Sequence, residues 1–361
     1  MKYLFILGRN PKLSVLEIKS FIKRTSNEIL DEELRENGLL LDLETPLDAG
    51  TIDFLGGALS IGIVLGNIKD IDKKEIYFGT RNNFNYIIWD FSEETGEVSQ
   101  YLKKRFRSEK FKATEKKLSG SIIDQEDNII KKASSNLIDE EYFVFDKFFG
   151  RIIQKCNYKE IEKRDMQKPV RREDLSISPR LAKIMINLSE VKEGETLLDP
   201  FCGIGAILIE ALEEEIKVIG IDNDGKAIEG ASKNLKWFKF SKENYKLNKN
   251  DSSKVKIKSS EVLVSEPYFG TTLKKIPEKK KAEIMIKQFE NLMISVLNNL
   301  KESISGKFVF TAPCIRIGRK RIGCNFEDIC EKTELKLEEN FPIEEFRKNQ
   351  IVGRNIVVLK K

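Results

Sequence analysis

Apolar positions follow one pattern in the first part of the chain and another in the second part. Before residue 158, short apolar runs such as YLFIL (3–7) predict strands, and the spacing within LSVLEIKSFIKR (13–24) predicts an amphipathic helix. The run YFVFDKFFGRIIQKCN (142–157) predicts a hairpin that turns at Gly150. This part of the chain is therefore predicted to be an α+β region.

Strand and helix patterns alternate in the second part of the chain. Helical patterns separate the buried strands predicted at ETLLDP, KVIGID, EVLVSE and KFVFTA. This alternation predicts a parallel sheet with helices on both faces, which is a Rossmann-like doubly wound domain of class α/β over residues 178–361. The charged segment 159–177 has little apolar periodicity, so it is predicted to be a linker.

The composition excludes several classes of function. The chain has no histidine, which removes the commonest general base and every mechanism built on a Ser-His or Cys-His pair. Its five cysteines form no CxxC pair, so no zinc site is expected. No apolar run approaches the ~18 residues of a membrane span, and no signal peptide is recognised. We therefore expect a cytoplasmic protein with neither a membrane segment nor a metal site.

Positive charge is concentrated in two segments, although the net charge is only +5. Residues 101–117 hold eight basic and two acidic residues with aromatic residues among them, and residues 163–172 form a second basic cluster. Such clusters suit a phosphate backbone, whereas a solvated helix face is the alternative that charge alone leaves open. The candidate RNA-binding residues are Lys103, Lys104, Arg105, Arg107, Lys110, Lys112, Arg164 and Arg171.

A glycine turn between a strand and a helix indicates a nucleoside-binding site. The segment LLDPFCGIGAILIEA (197–211) places Gly203 and Gly205 at this turn, where a doubly wound sheet brings its backbone close to a ligand. A second predicted strand ends at Asp222 about twenty residues later, where an acid can bind the two hydroxyls of a ribose. These positions together predict a nucleoside cofactor.

The residues around the turn favour S-adenosylmethionine over a dinucleotide. Leu208 stands where the third glycine of GxGxxG would lie, and Asp199 would repel a pyrophosphate. S-adenosylmethionine has no phosphate and carries a sulfonium and an ammonium group, so an acid beside the turn attracts it. Asp251 follows a further strand position and is predicted to accept a hydrogen bond from the adenine amino group.

The segment DPFCGIGAILIEA (199–211) resembles the first motif of the THUMP-domain methyltransferases, in particular the group that methylates N2 of guanine at position 10 of tRNA. The segments SPRLAKIMINL (178–188) and QIVGRNIVVLKK (350–361) resemble parts of the same family. The resemblance implies that S-adenosylmethionine is the cofactor and that tRNA is a partner. The cofactor-binding residues it implies are Asp199, Phe201, Gly203, Gly205, Asp222 and Asp251.

The resemblance also implies a domain order and a function. A ferredoxin-like module (1–70) and a THUMP RNA-binding domain (71–158) would hold the tRNA, a linker (159–177) would follow, and a Rossmann-like methyltransferase domain (178–361) would methylate it. The implied function is that of a tRNA (guanine-N2-)methyltransferase in tRNA processing, with a small activating protein subunit as a further partner. The alternative is a tRNA-binding relative whose catalysis is lost or depends on such a partner.

The loop VSEPYFG (264–270) departs from the family's catalytic motif, which has an Asp or Asn, two prolines and an aromatic residue. When Gly270 is matched to the glycine that follows the motif, Glu266 takes the acid position. In the alternative register Ser265 takes the acid position and Glu266 replaces a proline. We favour the first register because it keeps an acid, a proline and a terminal aromatic residue without a gap.

The favoured register predicts a role for each residue of the loop. An exocyclic amine must be held by acceptors that aim its lone pair at the methyl group, and Glu266 with the Pro267 carbonyl would supply them. An aromatic ring, from Tyr268 or Phe269, would stack on the base. Little acid-base strength is needed, so the absence of histidine is no objection.

Overall fold

The computed structural model describes two compact units. The described residues are 1–92, 95–118, 120–123, 129–132, 137–172, 177–270, 273–347 and 349–361. The first unit consists of Met1–Val15 and Ser26–Asn157, and the second of Leu16–Thr25 and Tyr158–Lys361. None of the described helices combines the length and the apolar composition that a membrane span requires.

The elements before residue 158 are mostly strands. In chain order they are β1 (Lys2–Leu7), α1 (Pro11–Arg24), β2 (Ile29–Arg35), β3 (Gly38–Leu43), β4 (Ala58–Asn67), β5 (Asn83–Asp90), α2 (Thr95–Ser108), β6 (Lys112–Glu115), β7 (Gly120–Ile123), β8 (Ile129–Lys132), β9 (Glu140–Phe145) and β10 (Phe148–Lys155). Eight of these strands form one sheet in the order β2-β3-β1-β4-β10-β9-β5-β6. The pairing of β4 with β10 runs across the domain boundary predicted at residue 70, and that boundary stays a prediction.

The hairpin of β9 and β10 turns at Asp146, so the prediction of a turn at Gly150 was wrong. Asp146 has a φ of +50°, a left-handed conformation that aspartate tolerates better than most residues. Gly150 lies inside β10 opposite Phe143. A Cβ atom at Gly150 would lie 2.1 Å from Cζ of the Phe143 ring, so the glycine is required by packing and not by a turn.

The second unit alternates helices and strands along the chain. Its elements are α3 (Tyr158–Gln167), α4 (Pro179–Ser189), β11 (Thr196–Asp199), α5 (Ala206–Glu213), β12 (Lys217–Asp222), α6 (Gly225–Trp237), β13 (Tyr245–Lys249), β14 (Val262–Ser265), α7 (Lys279–Leu300), β15 (Phe308–Ile317), β16 (Lys320–Ile322), α8 (Phe326–Thr333), β17 (Lys336–Leu337), β18 (Ile343–Glu345) and β19 (Val352–Lys360). The segment predicted as a linker therefore contains a helix, α3, while its residues 173–176 lie outside the described residues.

The sheet of the second unit confirms the doubly wound fold predicted from the alternating pattern. Its main strand order is β13-β12-β11-β14-β15-β19-β17, in which the first five strands run parallel and β19 is antiparallel to β15. The chain reverses its direction of winding between β11 and β14. In a sheet of this kind ligands bind outside the carboxyl ends of the strands at that point, so β11, β12 and β14 locate the candidate site.

Candidate active site

The turn after β11 needs glycine at two positions for different reasons. Gly203 has a φ of +52° and Gly205 a φ of +87°, which are left-handed conformations that favour glycine. A Cβ atom on Gly203 would meet nothing within 4 Å, whereas one on Gly205 would lie 3.5 Å from Cβ of Ala231. Gly205 thus packs the start of α5 close to α6, and Gly203 leaves open space beside the backbone.

Asp222 closes the glycine turn from the end of β12. Its Oδ2 accepts a hydrogen bond from the Gly203 amide at 2.9 Å, and its Oδ1 accepts one from the Asp224 amide at 2.8 Å. A carboxylate offers about four lone-pair positions, so each oxygen can accept a further hydrogen bond. The same side chain can therefore shape the turn and receive the two hydroxyls of a ribose.

Asp199 is a buried carboxyl group that links β11 to β14. It is 1% exposed, and it accepts hydrogen bonds from the Ser265 hydroxyl at 2.5 Å and from the Phe201 amide at 3.1 Å. Burial raises the pKa of Asp199 because desolvation disfavours the charged form, and the hydrogen bonds from Ser265 and Phe201 offset part of this rise. The charges of Asp222 and Glu266 also raise it, and the resulting pKa is about 7. A cation bound nearby would favour the ionised form.

The pH dependence of stability should reveal this buried carboxyl group. Between the ordinary Asp pKa of 3.8 and about 7, the folded protein binds more protons at Asp199 than the unfolded chain, so stability falls as pH rises. The Asp199→Asn variant should lack this decrease in stability, because its amide side chain is neutral in both the folded and the unfolded state. Relative to the parent, its free energy of unfolding should rise by about 2 kcal/mol between about pH 5 and pH 8.

Urea denaturation at both pH values, without added ligand, measures this difference. The exposed Asp251→Asn variant is the matched control, and it should follow the parent. A parallel pH dependence of the Asp199→Asn variant and the parent would mean that Asp199 is already ionised in the folded protein.

The loop after β14 carries its acid at Glu266. The Ser265 side chain is fully buried and its hydroxyl is bound to Asp199, so Ser265 supports the sheet from within. Glu266 Oε1 accepts a hydrogen bond from Nε of Arg354 at 2.5 Å, and the two side chains are 12% and 26% exposed. Arg354 lies on β19 opposite Pro313. This arrangement supports the register that places Glu266 at the acid position.

Burial and Arg354 shift the pKa of Glu266 in opposite directions. Burial raises the pKa of the Glu266 carboxyl above its ordinary value, and the positive charge and hydrogen bond of Arg354 partly reverse that rise. The arginine therefore favours the ionised form, which accepts hydrogen bonds and does not donate them.

The two aromatic residues of the loop have different surroundings. Tyr268 is 58% exposed, whereas Phe269 is half-buried and packs its edge against Phe289 of α7 with ring centroids 5.8 Å apart. Phe201, beside the glycine turn, also packs against the core formed by α7 and the sheet. Tyr268 is therefore the ring of this loop that is open to stacking, and Phe269 mainly anchors the loop to α7.

Asp251 follows β13, close to the end of β12 that carries Asp222. The amide of Asn250 donates to the carbonyl oxygen of Asp222 at 3.0 Å, which places Asp251 beside the candidate site. The amide and hydroxyl of Ser253 donate to Oδ1 of Asp251 at 2.9 and 2.7 Å, and these bonds lower its pKa. The predicted contact of Asp251 with adenine stays a prediction.

The predicted RNA-binding residues fall in two segments of the chain. In the first segment, the exposed ones are Lys103, Lys104, Arg107, Lys110 and Lys112. Arg105 is half-buried and donates to the Ile71 carbonyl at 2.8 Å, and Phe106, an aromatic residue of the same basic segment, is 1% exposed in the core. Lys103, Lys104 and Arg107 form a basic face on α2, whereas Lys110 follows the helix and Lys112 begins β6. Their contact with RNA stays a prediction.

Arg164 and Arg171 come from the segment predicted as a linker. The guanidinium of Arg164 donates to both oxygens of Glu210 at 2.8 Å and to Glu213 at 2.9 Å, so it fastens α3 to α5. Arg171 is half-buried. Within the described residues, no group of histidine, cysteine, aspartate or glutamate side chains could hold a metal ion.

Sequence reasoning missed Arg354 as a member of the site. The closing strand IVGRNIVVL is otherwise largely apolar, and a charged residue in such a strand requires a partner when the fold buries it. That requirement was a usable signal, although the sequence alone does not identify Glu266 as the partner.

Comparisons with known proteins agree with the geometry. Residues 169–305 match the profile of an RMKL-like methyltransferase domain, and residues 69–234 match that of a DNA methylase. A solved structure of TrmN from Thermus thermophilus has the same fold, with a TM-score of 0.50 and 12% identity over 100% of both chains.

Two curated relatives are tRNA (guanine(10)-N2)-dimethyltransferases. The one from Methanothermobacter thermautotrophicus is 33% identical over 139 residues, which cover 38% of this chain and 39% of the relative. The one from Pyrococcus abyssi is 25% identical over 286 residues, which cover 75% of this chain and 79% of the relative. The resemblance predicted from the sequence is thus confirmed: the chain is similar to the tRNA (guanine(10)-N2)-dimethyltransferases over these stretches, and its residues 169–305 match an RMKL-like methyltransferase domain.

Proposed function

We propose that the chain transfers a methyl group from S-adenosylmethionine to the exocyclic N2 amine of a guanine in tRNA. The observation that carries this proposal is the convergence of Asp199, Asp222 and Glu266 at the carboxyl ends of β11, β12 and β14. Three carboxyl groups beside an open glycine turn favour a cationic nucleoside and disfavour a phosphate. The names of the two archaeal relatives support guanine N2 of tRNA as the target.

The residues at the glycine turn suit S-adenosylmethionine. Asp222 keeps lone pairs for the ribose hydroxyls, Gly203 leaves space beside the backbone, and Asp199 offers a buried carboxyl group that a bound cation would ionise. Asp251 would accept a hydrogen bond from the adenine amino group. When bound, S-adenosylmethionine supplies an electrophilic methyl group on a sulfonium sulfur.

The loop after β14 would hold the other reactant. Glu266 and the Pro267 carbonyl accept the two N–H groups of the amine, and Tyr268 stacks on the base once it has left any helix. The nitrogen lone pair then forms the new N–C bond as the methyl–sulfur bond breaks, and the extra proton leaves the nitrogen for solvent. In this mechanism, most of the rate acceleration comes from orienting the amine toward the methyl group.

The contact with Arg354 explains how a glutamate can act at the position where the family that the sequence resembles has the shorter Asp or Asn. Because Arg354 holds Oε1 of Glu266, the position of the longer side chain is fixed, and Oε2 is the oxygen that we assign to the amine. The arginine also favours the ionised form of this carboxyl group and so opposes the effect of burial. Arg354 therefore acts as a positioning residue, since it reaches the amine only through Glu266.

Methyl transfer to an unmodified tRNA transcript tests this function. The protein is incubated with the transcript and S-adenosylmethionine carrying a tritiated methyl group, and the nucleosides are then identified by mass spectrometry. We expect N2-methylated guanosine, and the number of methyl groups follows from the product mass. Transfer by the isolated chain would show that the predicted activating subunit is not required.

Two results would favour other functions. Tight binding of S-adenosylmethionine and tRNA without transfer would indicate an RNA-binding relative. Methylated adenine in a DNA substrate would favour the DNA methylase, whose profile matches only as far as residue 234 and does not reach the loop of Glu266.

Replacing Arg354 should alter the pH profile of methyl transfer. Without the arginine, nothing opposes the rise in the pKa of Glu266 that burial causes, so Arg354→Gln should shift the acidic limb of the profile to higher pH. At neutral pH we expect a loss of about tenfold in the single-turnover rate. Arg354→Lys should restore part of the loss because it retains the charge.

A shifted acidic limb of the pH profile distinguishes a positioning role of Arg354 from a general loss of protein stability. Arg316→Gln, on the neighbouring strand β15, is the control, and it should leave the pH profile in place. A uniform loss of rate in Arg354→Gln at every pH, without a shifted limb, would contradict the electrostatic role.

A further inference from the structure

Exposed lysines surround the start of α7, directly after the candidate catalytic loop. β14 and β15 run parallel and α7 connects them, so the first turn of α7 lies at the same edge of the sheet as Glu266. Met285 of α7 lies 3.5 Å from the position of a Cβ on Gly270, which confirms that the helix begins next to the loop. The exposed lysines not paired with Glu283 are Lys274, Lys275, Lys280 and Lys281.

These lysines are unfavourable for the helix itself. The first turn of α7 contains no acidic residue, and the N-cap residue Glu278 makes no side-chain capping bond. Cations at a helix N-terminus oppose the macrodipole, at a cost of typically 0.3–1 kcal/mol each in exposed positions. Two exposed acids, Glu278 and Glu283, offset only part of this positive charge. The stability of the helix therefore does not explain why lysines occur here, whereas the binding of an anionic ligand does.

A second basic segment lies at the end of β15, the strand that pairs with β14. Ser265 pairs with Phe310 of β15, and β15 continues to Ile317, so the strand extends roughly 20 Å beyond the level of Ser265. Arg319 and Lys320 are exposed at the tip where β15 turns into β16. Arg321 differs from them, because its guanidinium donates to the Cys314 carbonyl at 3.0 Å and serves the hairpin.

We propose that these two segments form a basic rim that binds RNA phosphates on both sides of the nucleotide to be methylated. The rim consists of Lys274, Lys275, Lys280, Lys281, Arg319 and Lys320. Exposed Tyr268 and Glu266, whose side chain is 12% exposed, lie at the same edge of the sheet, in the loop after β14. The inference rests on the proposed function, and it adds an RNA contact on the second unit that is separate from the basic face of α2.

A nucleic acid strand fits this surface better than an acidic protein segment. A base that enters the site must leave its helix, and the phosphates on either side of it are then brought toward the walls around the loop. An exposed ring flanked by cations is also the combination that binds single strands, because bases stack while phosphates are neutralised. An acidic peptide would use the cations but would not require an exposed aromatic ring in the same loop as Glu266.

Double variants with a matched control test the rim in the full-length chain. The rim variants are Lys280→Gln/Lys281→Gln and Arg319→Gln/Lys320→Gln. The control is Lys233→Gln/Lys236→Gln on α6, whose last turn lies at the opposite edge of the sheet. Binding of an unmodified tRNA transcript is measured between about 50 and 200 mM salt. Each rim variant should lower the slope of log K against log salt by about 1.5, and the control should not.

Steady-state methyl transfer provides a second measurement. Phosphate contacts act equally in the ground state and the transition state, so the rim variants should raise the KM for tRNA and leave kcat unchanged. Unchanged salt slopes in both rim variants, or an equal loss in the control, would overturn the proposal. If the salt slope falls in only one rim variant, that segment binds RNA and the other segment does not.

The outcome for the rim can be separated from the outcome for the proposed function. Parent protein that methylates tRNA while the rim variants bind normally would reject the rim and keep the function. Parent protein that methylates no RNA would reject the function. Reduced salt slopes of the rim variants in that case would still support the rim as an RNA-binding surface.

Discussion

Glu266→Gln should lower the single-turnover rate of methyl transfer by about 100-fold to 1,000-fold, the range found when a preorganised polar group is removed from an active site. Glutamine has nearly the same shape but only one acceptor oxygen. Nε of Arg354 donates to Oε1 of the glutamate, so the amide of the variant turns its oxygen toward the arginine. Its NH2 group then faces the N–H groups of the substrate amine. Both groups are hydrogen-bond donors, so no hydrogen bond forms between them.

Single-turnover kinetics with saturating tRNA measure this loss, and calorimetric titration of S-adenosylmethionine checks that the cofactor site is intact. The dissociation constant of the cofactor should change by less than about threefold, because the proposal assigns Glu266 to the substrate amine and not to the cofactor. Glu302→Gln, in the exposed turn after α7 at the other edge of the sheet, is the matched control. An unchanged rate in Glu266→Gln would show that Glu266 only pairs with Arg354.

The fold of the second unit was predictable because local patterns specify it. The strands β11, β12 and β14 are short apolar runs bounded by turn residues, and helical patterns separate them. Parallel strands buried on both faces require this alternation. The two glycines of the turn were equally readable, because their positive φ values demand glycine whatever the rest of the chain does.

Helix α3 was not predictable from apolar periodicity, because none of its residues is buried. Its stability depends on contacts with a distant helix, where Arg164 binds Glu210 and Glu213. A sequence window around α3 contains neither of these partners. The segment therefore looks like a charged linker until the fold brings α5 beside it.

The electrostatics of the candidate site also depend on distant residues. Asp199 and Ser265 are 66 positions apart, and Glu266 and Arg354 are 88 positions apart. The acids themselves could be predicted because they follow strand ends. Their protonation could not, because the raised pKa of Asp199 and of Glu266 arises from burial that only the assembled sheet creates. Arg354 enters through the antiparallel pairing of β19 with β15.

Asp222→Ala should weaken the binding of S-adenosylmethionine by about 100-fold and leave tRNA binding unchanged. The variant loses two acceptors for the ribose hydroxyls, and a hydrogen bond to a charged group contributes about 1.5–3 kcal/mol. It also removes the acceptors of the Gly203 and Asp224 amides, so the glycine turn loses its closure. Both effects act on the cofactor side of the site.

Titration calorimetry for the cofactor and filter binding for tRNA measure the two affinities separately. Asp222→Asn, which retains one oxygen for the turn, should fall between the parent and Asp222→Ala. Asp224→Asn is the matched control, since asparagine can still cap α6 through the contact that Asp224 makes with the Lys226 amide. Equal losses of cofactor and tRNA affinity in Asp222→Ala would mean that Asp222 supports the whole domain, because a ribose ligand would affect only the cofactor.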